Sequence, residues 1–597
     1  MSLQQMTLLN MKKESPMNRQ QGNPVFEEQT ANGWQFTCVS DCRSSLFLHI
    51  YDKDQNEIRR IDMLPYHISG QVYSVSVAGV DMRDKLYRFE ADECFVSDGY
   101  ERGMYPFREW NTKEESPENL YFRTSVVNME DDRYPAIPQQ DVIAYLLHVR
   151  GFTKHASSKV KYPGTFSGIT EKIKYLQGLG VNQLILMPAY EFDELDPKTG
   201  KLNYWGFTNN NRYFMPKAAY SYDNPEEEFA DLVRKLHKKG MEAVMMFFFP
   251  KETNALMIAE CLAYWHQAYH VDGFWLLGEN IPAAFLMTHP LLTDAKLYFE
   301  QTEMIPDSEK IVNRNVSVTN TGFIKDIRRY LKSDADTLQS FAYQMRNYPK
   351  PFRALNYISS FNEFSLRDLV SYDFKHNDDN QEMNRDGTNN NFSWNCGEEG
   401  PSRKQAVMKL RRNQMCNAVA MLFLAQGTPM IVAGDEWGQT RLGNNNPYCQ
   451  DNEISWLNWK SDRTGKAVFN FTKEMIAFRK EHTILHMREP LRLMDYRACS
   501  YPDLSYHGEQ AWYPQFQENV RHIGMLLCGK YARTSEKKED ATLYLAFNMH
   551  WEDKTFGLPA LPKGRTWKCV IDPMGQAQEE YKESFTIRGR SLVVLMG

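Results

Sequence analysis

Three short clusters in this 597-residue chain have the residue types of metal sites. His266-Gln267-Ala268-Tyr269-His270 sets two imidazoles four residues apart, the spacing at which one helix face offers two nitrogens to zinc. The hydrolytic version of that motif has a glutamate after the first histidine, and Gln267 stands there instead. Asp52, Asp54 and Asn56 alternate like the opening of a calcium loop. Its sixth position is Glu57, where the sharp turn needs glycine, and the closing glutamate is missing. Cys38 and Cys42 make one pair where a structural zinc site needs four ligands. These clusters predict no metal and no other cofactor.

The surrounding elements are easier to read. Residues 1–30 are polar and read as a flexible leader, without the apolar stretch of a signal peptide. Short strand-like runs follow over 31–138. Leu46–Tyr51 is mostly apolar and aromatic, and Val72–Val77 alternates apolar and polar residues as a half-buried strand does. That region predicts a β-sandwich. Over 139–485 apolar runs alternate with amphipathic helices, the rhythm of parallel βα units. Asp223-Asn224-Pro225-Glu226 predicts a helix start: a capping residue, a proline in the first turn and acids at the positive helix end. Met241–Phe249 then reads as a strand buried on both faces. Similar runs at Val142–Val149, Gln183–Ala189, Gly273–Leu277, Lys296–Glu300, Leu355–Ser359 and Met430–Ala433 bring the count to seven, with a weak sixth strand near Val316. Short strands return over 486–597, predicting a C-terminal β domain. The fold class is α/β.

Net charge is −6 with both signs well mixed, which gives no electrostatic case for nucleic acid or an anionic membrane. No apolar run is long enough to span a bilayer. Ten cysteines scattered along the chain suggest reduced thiols, so a cytoplasmic protein is expected.

Longer motifs carry a family resemblance. His148-Val149-Arg150-Gly151-Phe152-Thr153-Lys154-His155, Asn203-Tyr204-Trp205-Gly206-Phe207 and His270-Val271-Asp272-Gly273-Phe274 are similar to segments of isoamylases and glycogen debranching enzymes of glycoside hydrolase family 13. Arg385-Asp386-Gly387-Thr388-Asn389, Phe392–Gly397 and Gly443–Asn452 follow that subgroup's pattern closely. The resemblance covers about 141–460. It implies a (β/α)₈ TIM barrel with its site at the carboxyl ends of the strands. It implies retaining cleavage of α-1,6 branch points by two carboxyl groups, one nucleophile and one acid/base. More loosely, 31–138 resembles a glycogen-binding module.

The catalytic positions implied by the resemblance are mostly altered. Where the family has Gly-Phe-Arg-Phe-Asp, this chain has Gly273-Phe274-Trp275-Leu276-Leu277, so Leu277 takes the nucleophile's place and Trp275 the arginine's. Glu300 keeps the acid/base position, followed by Gln301-Thr302-Glu303. Phe361-Asn362 replaces His-Asp on the seventh strand, and Phe249-Pro250-Lys251 replaces Tyr-Asn-His on the third. Removing carboxylates alone would strand a buried arginine at a cost of roughly 3–5 kcal/mol. Here both signs are gone together. A lone Glu300 in apolar surroundings favours its neutral form. The resemblance further implies Tyr204 and Trp205 as a sugar-stacking platform and Asn362 as a sugar contact.

The reading from sequence is a debranching-enzyme homologue that binds α-glucan or maltooligosaccharide without hydrolysis, alone or beside an active homologue. Two alternatives stand beside it. One is a working hydrolase in which Glu279 or Glu363 substitutes for the nucleophile. The other is an interaction scaffold with no sugar role.

Overall fold

The computed structural model describes residues 27–597 except 31–32, 113–119, 126, 197, 301–314, 348–351 and 576. Most of the expected leader, and Gln301-Thr302-Glu303, lie outside the described residues. The first strand, Glu27–Thr30, begins inside the segment expected to be leader and pairs with Gly33–Val39.

Eight parallel strands close into a barrel in chain order. They are β1 (Ala144–Leu147), β2 (Gln183–Leu186), β3 (Glu242–Phe248), β4 (Gly273–Leu277), β5 (Lys296–Phe299), β6 (Val316–Thr319), β7 (Arg353–Asn356) and β8 (Thr428–Val432). β8 returns to β1 with Met430 opposite Ala144. Both faces of each strand are buried, and in most strands both are largely apolar. In β4, Phe274 and Leu276 join the large cluster under the helices, whereas Trp275 and Leu277 join the cluster filling the lumen. Parity alone makes this division, because successive side chains in a strand point to opposite faces.

Helices on the outside start where the sequence places capping residues. Asn224 accepts a hydrogen bond from the Glu227 amide at 3.0 Å and opens Pro225–His237, with three glutamates in its first turn. Phe229, Leu232, Val233 and Leu236 are buried along one face. Most strand boundaries differ from the expectation by one to three residues, and two of these differences shape the mouth. β1 stops at Leu147, and His148 caps a short helix, Val149–Lys154, by accepting from the Gly151 amide at 3.0 Å. β7 stops at Asn356, and a turn carries residues 357–363 across the barrel mouth. Arg441 fixes that turn by donating to the carbonyls of Ser360, Phe361 and Glu363, each at 3.0 Å.

Antiparallel sheets flank the barrel. On the N-terminal side a four-stranded sheet around Gly33–Val39 and Val72–Val77 faces a second sheet around Leu46–Tyr51 and Leu86–Ala91. Phe36, Val75, Leu48 and Phe89 share one core between them. On the C-terminal side a six-stranded sheet places Leu543–Asn548 between His522–Leu527 and Ser591–Met596. Tyr330 stacks on Phe341 at 3.9 Å, and Phe341 meets Phe547 edge-on at 5.1 Å, which ties this sheet to a barrel helix. Among the described residues no helix is long and apolar enough to cross a membrane.

Candidate functional site

The carboxyl ends of the barrel strands are where this architecture gathers chemistry. Strand register brings Leu277 beside Phe248, and Trp275 between Met246 on β3 and Tyr298 on β5. Beyond the strand ends the loops add more rings. Phe361 meets Trp205 edge-on at 5.0 Å and Phe207 at 5.5 Å. Phe207 in turn packs on Phe248 at 5.6 Å. Leu277 is 5% exposed within this cluster. The cavity left beneath Tyr204, Trp205 and Phe361 is about 60 Å³. Small-molecule sites run from roughly 300 Å³ upward, so this space suits a few waters and not a glucosyl ring.

The residues expected to touch sugar are therefore placed differently from one another. Tyr204, expected as a stacking platform, is 1% exposed and stacks on His148 at 3.9 Å. Its backbone is fixed on both sides: the amide donates to the Tyr448 carbonyl at 2.7 Å, and its own carbonyl accepts from His148 at 2.8 Å. Trp205 is 8% exposed and covered by Phe361. Both rings are thus packed pieces of the mouth that also line its small cavity. Asn362 is exposed at the turn that Phe361 anchors. Burial holds His148 down to about 4, so it is neutral at ordinary pH.

Glu300 follows β5 and shares the lumen-facing parity of Tyr298. Burial raises its carboxyl above the ordinary range, and among the described residues no salt bridge involves it. Thr319 donates to its backbone carbonyl at 2.8 Å. Glu363 is bound by the fully buried Arg328 at 2.9 Å. Glu279 lies out in solvent, 3.4 Å from Lys251. The two histidines with zinc-like spacing have separate partners: His266 meets the Val271 carbonyl at 2.8 Å and His270 meets Asp132 at 2.8 Å.

The long loop motifs converge on one polar network above the mouth. Asn377 donates to Asn445 at 2.9 Å, and Asn445 donates to Asn391 at 2.8 Å. Asn380 and Asn446 both donate to Asp386, at 2.8 and 2.9 Å. Gly387 sits at φ +71°, where a side chain would come within 2.3 Å of Asn445. These stretches hold each other, so their residue pattern has a structural cause independent of catalysis.

Phe207, Phe248 and Arg441 were not singled out in the sequence. Phe248 was readable in principle, because strand parity puts it on the face of Val244 and Met246. Phe207 and Arg441 reach the mouth through loops, which carry no such period.

Comparison with known proteins fits this frame. Residues 122–253 match the α-amylase catalytic domain family. Over 558 aligned residues the chain is 30% identical to chloroplastic isoamylase 1 of Arabidopsis thaliana, covering 75% of this chain and 68% of that protein. This chain belongs to the isoamylase-type debranching family. Chloroplastic isoamylase SU1 of Zea mays is also 30% identical, over 74% of this chain and 66% of its own length. The chain thus spans about two thirds of these plant isoamylases. Among solved structures, Group B Streptococcus pullulanase SAP in complex with maltotetraose superposes with a TM-score of 0.71 at 14% identity, over 96% of this chain and 87% of that one. At that identity the likeness establishes the barrel and its flanking sheets, and nothing finer.

Proposed function

We propose that this family member binds α-glucan without hydrolysing it and acts as a glucan-binding or regulatory subunit beside an active debranching homologue. One observation carries the reading: Leu277, at the place the family resemblance gives to the nucleophile, is packed with Trp275, Trp205 and Phe361 in one buried cluster. Retaining hydrolysis needs two carboxyl groups roughly 5–5.5 Å apart across the scissile bond. Glu300 supplies one, and burial raises its carboxyl above the ordinary range. The acids that could replace the second are engaged elsewhere, Glu363 by Arg328 and Glu279 by Lys251. Glucan as the ligand is supported by the plant isoamylases and by the maltotetraose in the pullulanase complex. Ten unpaired cysteines support a reducing compartment such as the cytoplasm.

The test combines reducing-end release from glycogen, amylopectin and pullulan with isothermal titration of maltohexaose. The expected result is binding, with no release above that of Glu300→Gln. Release that depends on Glu300 overturns the non-hydrolytic half of the proposal. Absence of binding to any of these glucans overturns the other half. Native mass spectrometry with an active isoamylase tests the subunit role, and no complex at any ratio removes it.

A further inference from the structure

Among the described residues a groove of about 660 Å³ lies on the barrel's flank, apart from the mouth. It runs between residues 107–110 and the loops at 150–165 and 218–223. Its volume lies within the range of small-molecule sites, unlike the cavity of about 60 Å³ under Tyr204, Trp205 and Phe361.

Aromatic rings line it. Tyr162 and Tyr222 lie 4.1 Å apart at 39°, and Tyr222 is 69% exposed. Phe107 is 37% exposed at the opposite side. Trp110 forms a wall, stacked on Tyr220 at 5.7 Å, with the Arg150 guanidinium 4.7 Å from its ring centre. Rings of this kind bury large flat faces at little conformational cost.

The polar groups between the rings carry both signs. Lys154 and Lys161 face the same space as Glu109 and Asp223, and Thr165 and Ser221 add hydroxyls. Among the described residues neither lysine makes a salt bridge. A simple anion entering here meets two carboxylates, and a simple cation meets two ammonium groups. A polyol both donates and accepts at each hydroxyl, so it can use all of them. Flat apolar faces edged with hydroxyls are the surface of a glucosyl chain.

The walls are already fixed. Arg108 is held by Asp193, and Lys217 bridges Glu191 and Glu194 at 2.7 and 2.6 Å behind it. Arg150 is held by Asp451 at 2.9 Å. A pre-formed groove loses little on binding.

We infer that this flank groove, and not the barrel mouth, is where the protein takes an α-glucan chain, stacked along the Tyr162–Tyr222 pair with Lys161 donating to its hydroxyls. The inference rests on the glucan-binding reading above and relocates its site. Titration of maltohexaose into the full-length chain, with electrophoretic retardation in glycogen-containing gels, tests it. Tyr222→Ala/Lys161→Ala removes two exposed side chains and leaves the fold intact, which an unchanged melting temperature verifies. Affinity is expected to fall at least tenfold. Trp551→Ala, an exposed ring of the C-terminal sheet, is expected to bind like the unaltered protein. Full affinity in the double variant overturns the groove and leaves glucan binding standing elsewhere. An equal loss in Trp551→Ala also overturns it. No binding by the unaltered chain overturns both the groove and the reading on which it rests.

Discussion

The two ends of the barrel lumen are built from opposite materials. At the amino ends of the strands, Lys296 donates to both oxygens of Glu242, at 2.7 and 2.5 Å, and to the Ile137 carbonyl at 2.6 Å. Gln183 donates to Glu242 at 2.8 Å and accepts from the Tyr298 hydroxyl at 2.8 Å. At the carboxyl ends stand Phe248, Leu277, Trp205 and Phe361, with no ion pair among these lumen-facing side chains. In this fold the amino end is the stabilising face and the carboxyl end the chemical one. Here the paired charges sit at the stabilising end, and the chemical end, apart from Glu300 and the Arg441 that holds its turn, is packed like a core. The lumen is therefore stabilised at both ends, by different physics.

Breaking the lower end is expected to have the largest effect. Lys296→Met fills similar volume but leaves Glu242 buried without its cation, at a cost of about 3–5 kcal/mol. Urea denaturation followed by circular dichroism measures it. A change under about 1 kcal/mol, the size typical of exposed pairs, would mean that water reaches the pair and that the two ends are not distinct in kind. At the upper end Phe361→Ala removes the ring that covers Trp205 and Phe207. It is expected to cost about 3 kcal/mol in the same measurement, the lower end of the range for buried aromatic truncations. A neutral result would show that the mouth rings are loosely placed, and would reopen the cleft to sugar.

Much of this contrast was legible in the sequence. Seven barrel strands announce themselves as apolar runs, and Asn224-Pro225 announces a helix start. β6 is weak because Ser317 and Thr319 interrupt its apolar run, both buried by the barrel around them. Leu277, Trp275 and Phe361 could be read at their positions, since the family motifs fix the alignment there. What could not be read was how far Tyr204 is covered. That depends on His148 and Tyr448, which meet it from loops far apart in the chain. The flank groove was equally hidden. Its rings and charges come from three segments, none of which forms a motif alone. Strand parity is a local property that a sequence states directly, whereas loop–loop contact is a property of the closed fold.

The smallest expected effect sharpens the contrast at the mouth end, outside the lumen. Glu436 follows β8 and accepts from the hydroxyls of Tyr145 and Tyr175 at 2.6 and 2.7 Å, and from the Gly434 amide at 2.8 Å. No cation pairs with it among the described residues. Burial pushes its carboxyl from the ordinary 4.5 up to about 7, against the pull of those hydrogen bonds. The folded chain thus holds a proton that the unfolded chain has released between these values. Its contribution to stability is full below about pH 4.5 and is lost as pH rises through 7. Glu436→Gln keeps the shape but cannot ionise. Its stability relative to the unaltered chain is expected to rise by at most roughly 3 kcal/mol between pH 4.5 and pH 8, the order that a shift from 4.5 to about 7 implies. Denaturant midpoints of both proteins across that range give the difference directly. A flat difference would mean that Glu436 is ionised in the fold throughout, and that this end of the barrel accepts an unpaired carboxylate after all.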